Sequence, residues 1–250
     1  MMQIIISPAR QMKSDPDALP YQSLPVFLPQ AEVILADLKQ RSVAELKAIW
    51  QCSDRLVQQN VDRLATMTLT EQLTPALLAF TGLQYQAMGP GVFDDEAWDY
   101  VQRHLRILSG FYGVLKPLDG IVPYRLGLSD AAQVAGTANL YQYWGDRLAE
   151  EVYREGELVL NLASVEYAKA IKPYLTPARQ LVTCLFGEVH AGKFKQKATQ
   201  AKQARGSMVR YLAEHQVTTL AGVKKFAVAG FQYQPVLSTP TKLVFVKGRL

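Results

Sequence analysis

Between Leu105 and Leu128 the chain reads LRILSGFYGVLKPLDGIVPYRLGL, an apolar run interrupted by Lys116, Asp119, Tyr124 and Arg125. Residues set among Ile, Leu, Val and Phe are drawn toward the interior, where an unpaired charge is costly. These charges therefore pair with one another or line a cleft that a ligand enters. A lysine freed of its proton by burial or a neighbouring cation is a nucleophile. Lys116, Asp119 and Tyr124 are thus candidate catalytic residues for a lyase- or glycosylase-like reaction on nucleic acid or nucleotides. Lys116 and Arg125 are equally candidate phosphate ligands. Gly110 and Gly113 let the backbone turn tightly, and exposed N–H groups in such a hairpin hold phosphate well. Pro117 is suited to open a short helix with Lys116 beside its positive end. A helix–hairpin–helix of this kind grips nucleic-acid backbones; a plain turn is the alternative.

Other candidates sit at the ends of elements. Ser7-Pro8-Ala9-Arg10 closes the first apolar run, so Arg10 projects from a loop at a strand's C-terminal edge, as a phosphate contact or a solvated charge. Asn161-Leu-Ala-Ser164-Val-Glu166-Tyr167 falls where a buried strand gives way to a helix. Ser164 and Glu166 suit that helix start, whereas the amide of Asn161 needs partners. Near residue 200, Ala201, Ala204, Met208 and Leu212 form an apolar arc at helical spacing. Arg205 lies at its margin and Lys202 beside it. Arg205 is expected to meet an anion, either Asp119, Glu166 or a bound phosphate. Gly206 allows close approach of another backbone.

Several chemistries find no support. His104, His190 and His215 stand apart from one another and from Cys52 and Cys184. No C-x-x-C, H-E-x-x-H or calcium-loop pattern occurs. There is no G-x-S-x-G elbow and no glycine-rich mononucleotide or dinucleotide loop. No metal and no cofactor are expected, and the cysteines read as reduced core residues of a cytoplasmic protein.

The 250 residues carry a net charge of +5, unevenly spread. Residues 1–125 hold 11 Lys/Arg against 13 Asp/Glu, and residues 126–250 hold 16 against 9. Between Gly192 and Lys225 eight basic residues face one acid, Glu214. That asymmetry fits either a polyanion-facing surface or a solvated basic helix. No apolar run approaches the roughly 18 residues needed to span a bilayer, so no membrane partner is expected.

Gln3–Ser7 reads as a strand stopped by Pro8, and residues 14–30, with four prolines, as an irregular crossing. Ser42-Val-Ala-Glu45 has capping-box spacing, and Ser53 is placed to cap a helix reaching Leu64. Asp94-Asp95-Glu96 marks a helix start, with Trp98, Val101, Leu105 and Leu108 as its apolar stripe. Asn139 is a further cap, before Leu140, Tyr143, Trp144 and Leu148. Leu158–Leu162 and Leu181–Phe186 are short buried strands, with Val189–Phe194 as a hairpin and Gln196–His215 as a helix. Phe226–Tyr233 and Leu243–Val246 close the sheet. No linker or repeat divides the chain. The expected fold is one α+β domain over residues 1–250, with helices around a central buried sheet.

These segments also carry a resemblance. Ile6–Arg10 (ISPAR), Ser53-Asp54-Arg55-Leu56, Ala79-Phe80-Thr81-Gly82 and the Leu105–Leu126 stretch are similar, in order, to motifs of the YaaA family of peroxide-stress resistance proteins. Leu140-Tyr-Gln-Tyr-Trp-Gly-Asp146, Asn161–Tyr167 and Lys202-Gln-Ala-Arg-Gly-Ser-Met208 extend the likeness along nearly the whole chain. Two departures stand out: Arg10 replaces the family's lysine, and Val165 replaces an acid. The resemblance implies a cytoplasmic bacterial protein that protects against hydrogen peroxide, associated with lower free iron and hence less Fenton chemistry. It also implies DNA binding, a helix–hairpin–helix element and a positively charged cleft. The expected partner is DNA or another phosphate-bearing ligand. It would be held by Arg10, Lys116, Arg125, Asn161, Glu166, Lys202 and Arg205.

Overall fold

The computed structural model describes residues 1–248. The chain opens with β1 (Met2–Ile6), buried along its whole length. An irregular crossing leads to α1 (Leu28–Gln40), α2 (Val43–Trp50) and α3 (Asp54–Thr66). That crossing ends earlier than residue 30, because Pro29 sits in the first turn of α1, where its missing N–H has no partner to lose. The capping box forms as expected: Ser42 Oγ accepts from Glu45 N, and the Glu45 carboxylate accepts from Ser42 N at 2.8 Å. Ser53 occupies the cap position of α3, but its side chain makes no capping bond.

Next come β2 (Thr74–Pro75), α4 (Ala76–Ala79), α5 (Leu83–Met88) and α6 (Asp95–His104). Asp94 caps α6 by accepting from Ala97 N at 2.8 Å. The helix stops at His104, so Leu105 and Leu108 do not belong to its stripe; they lie in β3 (Leu105–Ser109). Ala97, Tyr100, Val101 and His104 form the buried face instead. After β3 come β4 (Gly113–Leu115), β5 (Gly120–Ile121), α7 (Leu140–Trp144), α8 (Arg147–Tyr153) and β6 (Leu158–Leu162). The last third contains α9 (Val165–Ala168), β7 (Gln180–His190), β8 (Lys193–Lys195), α10 (Ala198–Glu214), α11 (Leu220–Val223), β9 (Phe231–Tyr233) and β10 (Lys242–Lys247). Of the closing run expected from Phe226, only its last three residues are strand.

The main sheet runs β4-β3-β1-β6-β7-β10-β9, with β8 hairpinned onto the end of β7. The five inner strands β3, β1, β6, β7 and β10 are parallel, while β4, β8 and β9 join antiparallel. The fold is α+β around a central mixed sheet, with eleven α-helices among the described residues. The chain leaves β1, returns beside it as β3, then crosses to its other side as β6. Connections that diverge in this way leave a crevice at the C-terminal ends of the strands on either side of the switch, a favoured place for ligands.

The Leu105–Leu128 stretch folds differently from a helix–hairpin–helix. β3 and β4 form a buried hairpin, and no helix follows Pro117, which sits in a turn where Asp119 N donates to Lys116 O at 3.1 Å. The N–H groups of Phe111 and Tyr112 are taken by Ser109 Oγ, at 3.1 and 2.8 Å, and Trp144 Nε1 donates to Gly110 O at 2.9 Å. A Cβ on Gly110 would stand 2.7 Å from Leu126 O and Gly127 C. The glycine therefore serves core packing, and the hairpin offers phosphate no free N–H at Phe111 or Tyr112. No helix among the described residues is long and apolar enough to cross a membrane.

Candidate functional site

A cleft of about 480 Å³ opens at the C-terminal ends of β1 and β6, at the switch point of the sheet. Residues Ser7 to Gln11, leaving β1, form one wall. Ser7 ties this wall to the next: its Oγ accepts from Ser164 N at 2.8 Å and donates to Ser164 Oγ at 3.2 Å. Ser164 and Glu166 follow β6, and Tyr85 OH donates to Ser7 O at 2.9 Å.

The opposite wall comes from α10 crossing α5. Gly206 makes this crossing possible, since a Cβ there would lie 2.0 Å from Gln84 O. The close approach sets Gln84 on one side of the cleft beside Lys202 and Arg205 on α10. The buried arc of α10 includes Ala201, Ala204, Met208 and Leu212, as its spacing predicts. Arg205 is half-buried at the arc's margin and Lys202 is exposed.

The third wall is the segment from Tyr124 to Gly127 together with Asp130. Tyr124 is buried, and its hydroxyl shares a hydrogen with Ser109 Oγ at 2.7 Å. Burial pushes the Tyr85, Tyr124 and Tyr167 phenols upward, so they remain protonated hydrogen-bonding groups. Burial likewise raises the Asp130 carboxyl; the Gly127 N–H and Arg10 offset this in part, while Glu166 adds to it. Arg10, largely exposed, lies 3.6 Å from Asp130 Oδ1.

Polar satisfaction separates these side chains. Arg125 Nε, Arg205 Nε and Gln84 Nε2 are buried donors without a hydrogen-bond partner among the described residues. Burial pulls the Arg205 guanidinium down, and burial also keeps the neighbouring Cys184 thiol protonated and neutral, so it supplies no counter-charge. The carboxylate expected opposite Arg205, from Asp119 or Glu166, makes no ion pair with it among the described residues. Orphaned donors on cations are expensive unless water or a ligand serves them. The cleft carries Arg10, Arg125, Lys202 and Arg205 against Asp130 and Glu166, four positive groups to two negative.

Six of the nine residues singled out in the sequence thus line one cleft: Arg10, Tyr124, Arg125, Glu166, Lys202 and Arg205. Lys116, Asp119 and Asn161 do not. Asp119 is buried as the clamp of its own turn, accepting from Ser23 Oγ at 2.6 Å and from Lys116 N at 2.8 Å. Burial pushes its carboxyl up to about 6, against the pull of those two bonds, Lys116 and Arg106. Lys116 flanks that turn, half-buried. Asn161 finds its partners inside the fold, donating to Thr183 Oγ1 at 3.1 Å and accepting from Ala163 N at 2.9 Å. Asp119 and Asn161 interrupt apolar sequence to hold backbone, and the trio Lys116, Asp119 and Tyr124 does not assemble in the cleft.

Sequence reasoning passed over Ser7, Gln84, Tyr85, Asp130 and Tyr167. Gly206 carried a usable signal for Gln84, since the glycine marks the contact that delivers it. The basic stretch from Gly192 is also less uniform than its composition. Lys197 pairs with Glu188 and Arg210 with Glu214, which leaves Lys202 and Arg205 as its contribution to the cleft.

Comparison with known proteins agrees over the whole length. The family model described as peroxide stress protein YaaA matches residues 2–237. A UPF0246 protein of Limosilactobacillus reuteri (strain DSM 20016) is 54% identical over 245 residues, covering 98% of both chains. Another from Ligilactobacillus salivarius (strain UCC118) is 49% identical over 247 residues, covering 99% of this chain and 100% of that one. A third, from Pediococcus pentosaceus, is 46% identical over 249 residues. With a cleft assembled from segments of that family's pattern and full-length relatives at this identity, the chain belongs to the peroxide stress protein YaaA family.

Proposed function

We propose that the cleft binds a phosphate group through Arg125, Arg205 and Lys202, and that DNA or another phosphate-bearing ligand held there is the basis of a peroxide-protective role that limits Fenton damage. The observation that carries this reading is the pair of arginines whose Nε–H groups are buried, and unpartnered among the described residues, at the switch point of the sheet. A phosphate supplies the acceptors that such groups lack, and arginine's planar fork suits it better than lysine's point charge. Arg10, exposed at the rim, adds attraction without fixed geometry.

The test is oligonucleotide binding by fluorescence anisotropy at several salt concentrations. Affinity for duplex DNA is expected to fall with salt by a log–log slope of about −0.9 per phosphate neutralised. Arg125→Ala and Arg205→Ala should each weaken binding about tenfold or more. Binding indifferent to salt, or to both substitutions, contradicts the proposal.

Lys202 supports a second reading, a lyase- or glycosylase-like enzyme on nucleic acid, because it brings a primary amine into the cleft. Such an amine condenses with the aldehyde of an abasic site, releasing water, and borohydride reduces the resulting imine to a stable adduct. An adduct lost in Lys202→Ala would favour the enzyme. Intact binding with no adduct is the expected outcome.

A further inference from the structure

The geometry points to a cleft with two poles, and we propose that it takes a small phosphate monoester of nucleotide size. The phosphate would lie against Arg205 and Lys202, and the hydrogen-bond donors at the ligand's other end against Asp130 and Glu166. This rests on the phosphate reading above and adds the class of molecule.

The carboxylate pole is built and held. Gly127 N donates to Asp130 Oδ2 at 2.7 Å, and Ser129 N donates to Glu166 Oε1 at 3.1 Å, so one short loop orients both groups. Gly127 lies between them: a Cβ there would meet Glu166 Oε1 at 3.1 Å and Asp130 Oδ1 at 3.3 Å. Tyr141 OH fixes the Glu166 backbone by donating to its carbonyl at 3.1 Å. Each carboxylate keeps a second oxygen in reserve. Glu166 Oε2 has no partner among the described residues, and Asp130 Oδ1 has only Arg10 at 3.6 Å, too long for a hydrogen bond. Two anchored acceptors side by side suit sugar hydroxyls or a base amino group, and carboxylates take the former role in other nucleotide sites.

The cationic pole is not neutralised by this pair. Arg205 Nε stays unpartnered, and Asp130 takes Arg10 rather than Arg205 or Lys202. Among the described residues no ion pair joins Arg205 or Lys202 to either carboxylate, whereas Arg10 and Arg125 both act on Asp130. The ionised lining has a surplus of two positive charges, four against two. That complements a phosphate monoester, at about −1.5 to −2 near pH 7, better than a diester's single charge. The volume of about 480 Å³ falls within the roughly 300–1,000 Å³ of small-molecule sites. Tyr85 and Leu126 add apolar lining to the cleft.

Calorimetric titration of the full chain with AMP, 3′,5′-cyclic AMP, ribose 5-phosphate, adenosine and inorganic phosphate tests the proposal. AMP is expected to bind about tenfold or more tighter than cyclic AMP, adenosine or inorganic phosphate. Ribose 5-phosphate matching AMP would assign the donors to the sugar, and ribose 5-phosphate matching inorganic phosphate would assign them to the base; both support a donor-bearing monoester. The diagnostic sign belongs to Glu166→Gln and Asp130→Asn, each of which keeps an oxygen for its backbone N–H. They should weaken AMP while leaving inorganic phosphate unchanged or tighter, because a repelling charge is gone. Should Asp130→Asn fail to fold, Glu166→Gln carries the test alone. Equal affinity for AMP and inorganic phosphate, or variants that tighten both, overturns the two-pole proposal while leaving phosphate binding intact. Loss of every phosphate ligand, with Arg205→Ala silent, instead overturns the phosphate reading beneath it.

Discussion

The turn between Ser109 and Asp119 and the cleft at the ends of β1 and β6 both place polar groups in apolar surroundings, and they resolve the cost in opposite ways. In the turn the two polar side chains are served by the chain itself: Ser109 takes two N–H groups, and Asp119 takes Lys116 N and Ser23 Oγ. In the cleft, Arg125, Arg205 and Gln84 retain buried donors that nothing among the described residues accepts. The difference teaches where to look for function. A charge amid apolar sequence marks a site when the fold leaves it unserved, and marks a structural clamp when the fold serves it.

The contrast predicts its largest effect on stability in the turn. Asp119→Ala should cost about 2–4 kcal/mol in urea unfolding, because Ser23 and Lys116 N–H lose their acceptor in a buried place, while DNA affinity stays within twofold or so. A variant as stable as the parent would show that the clamp is dispensable.

The same carboxyl gives a pH dependence. Its folded value, about 6, lies above the ordinary aspartate value of 3.8, so the folded chain binds the extra proton between those limits. This contribution is fully present below about pH 4 and is lost as pH rises through about 6, amounting to at most about 3 kcal/mol. Asp119→Asn should therefore gain on the parent between pH 4 and 7 in paired unfolding curves. A constant difference across that window would contradict burial as the controlling cause.

Smaller effects fall on the cleft's exposed rim. Lys202→Ala should shrink the salt slope of DNA binding by about one unit without altering sequence preference. Lys116→Ala, removing a cation outside the cleft, should leave both slope and affinity unchanged. A loss with Lys116→Ala as large as that with Lys202→Ala would erase the distinction between the two regions.

Much of the scaffold was legible because capping and burial are local. Ser42, Asp94 and Asn139 announced helix starts, and the runs Leu158–Leu162 and Leu181–Phe186 announced strands. The end of α6 was not legible, since Leu105 and Leu108 continue a helical stripe and neither glycine nor proline stops it at His104. Pairing with β1 overrides the pattern there. In the cleft, Arg205 was readable from its place at the margin of an apolar arc. Asp130 was not, because Ser129-Asp130 after Gly127-Leu128 looks like ordinary turn chemistry, and only the fold brings Glu166 and Arg10 beside it. Asn161 misled for a related reason: its need for partners was real, but Thr183 on the neighbouring strand satisfies it.

The central claim is that the buried Nε–H of Arg205 is kept for a ligand rather than for the fold. It is tested by measuring unfolding free energy and DNA affinity on one preparation of Arg205→Ala. The account predicts a stability change within about 1 kcal/mol of zero, or a gain, together with an affinity loss of about 10- to 100-fold. A large loss of stability with unchanged affinity would contradict it.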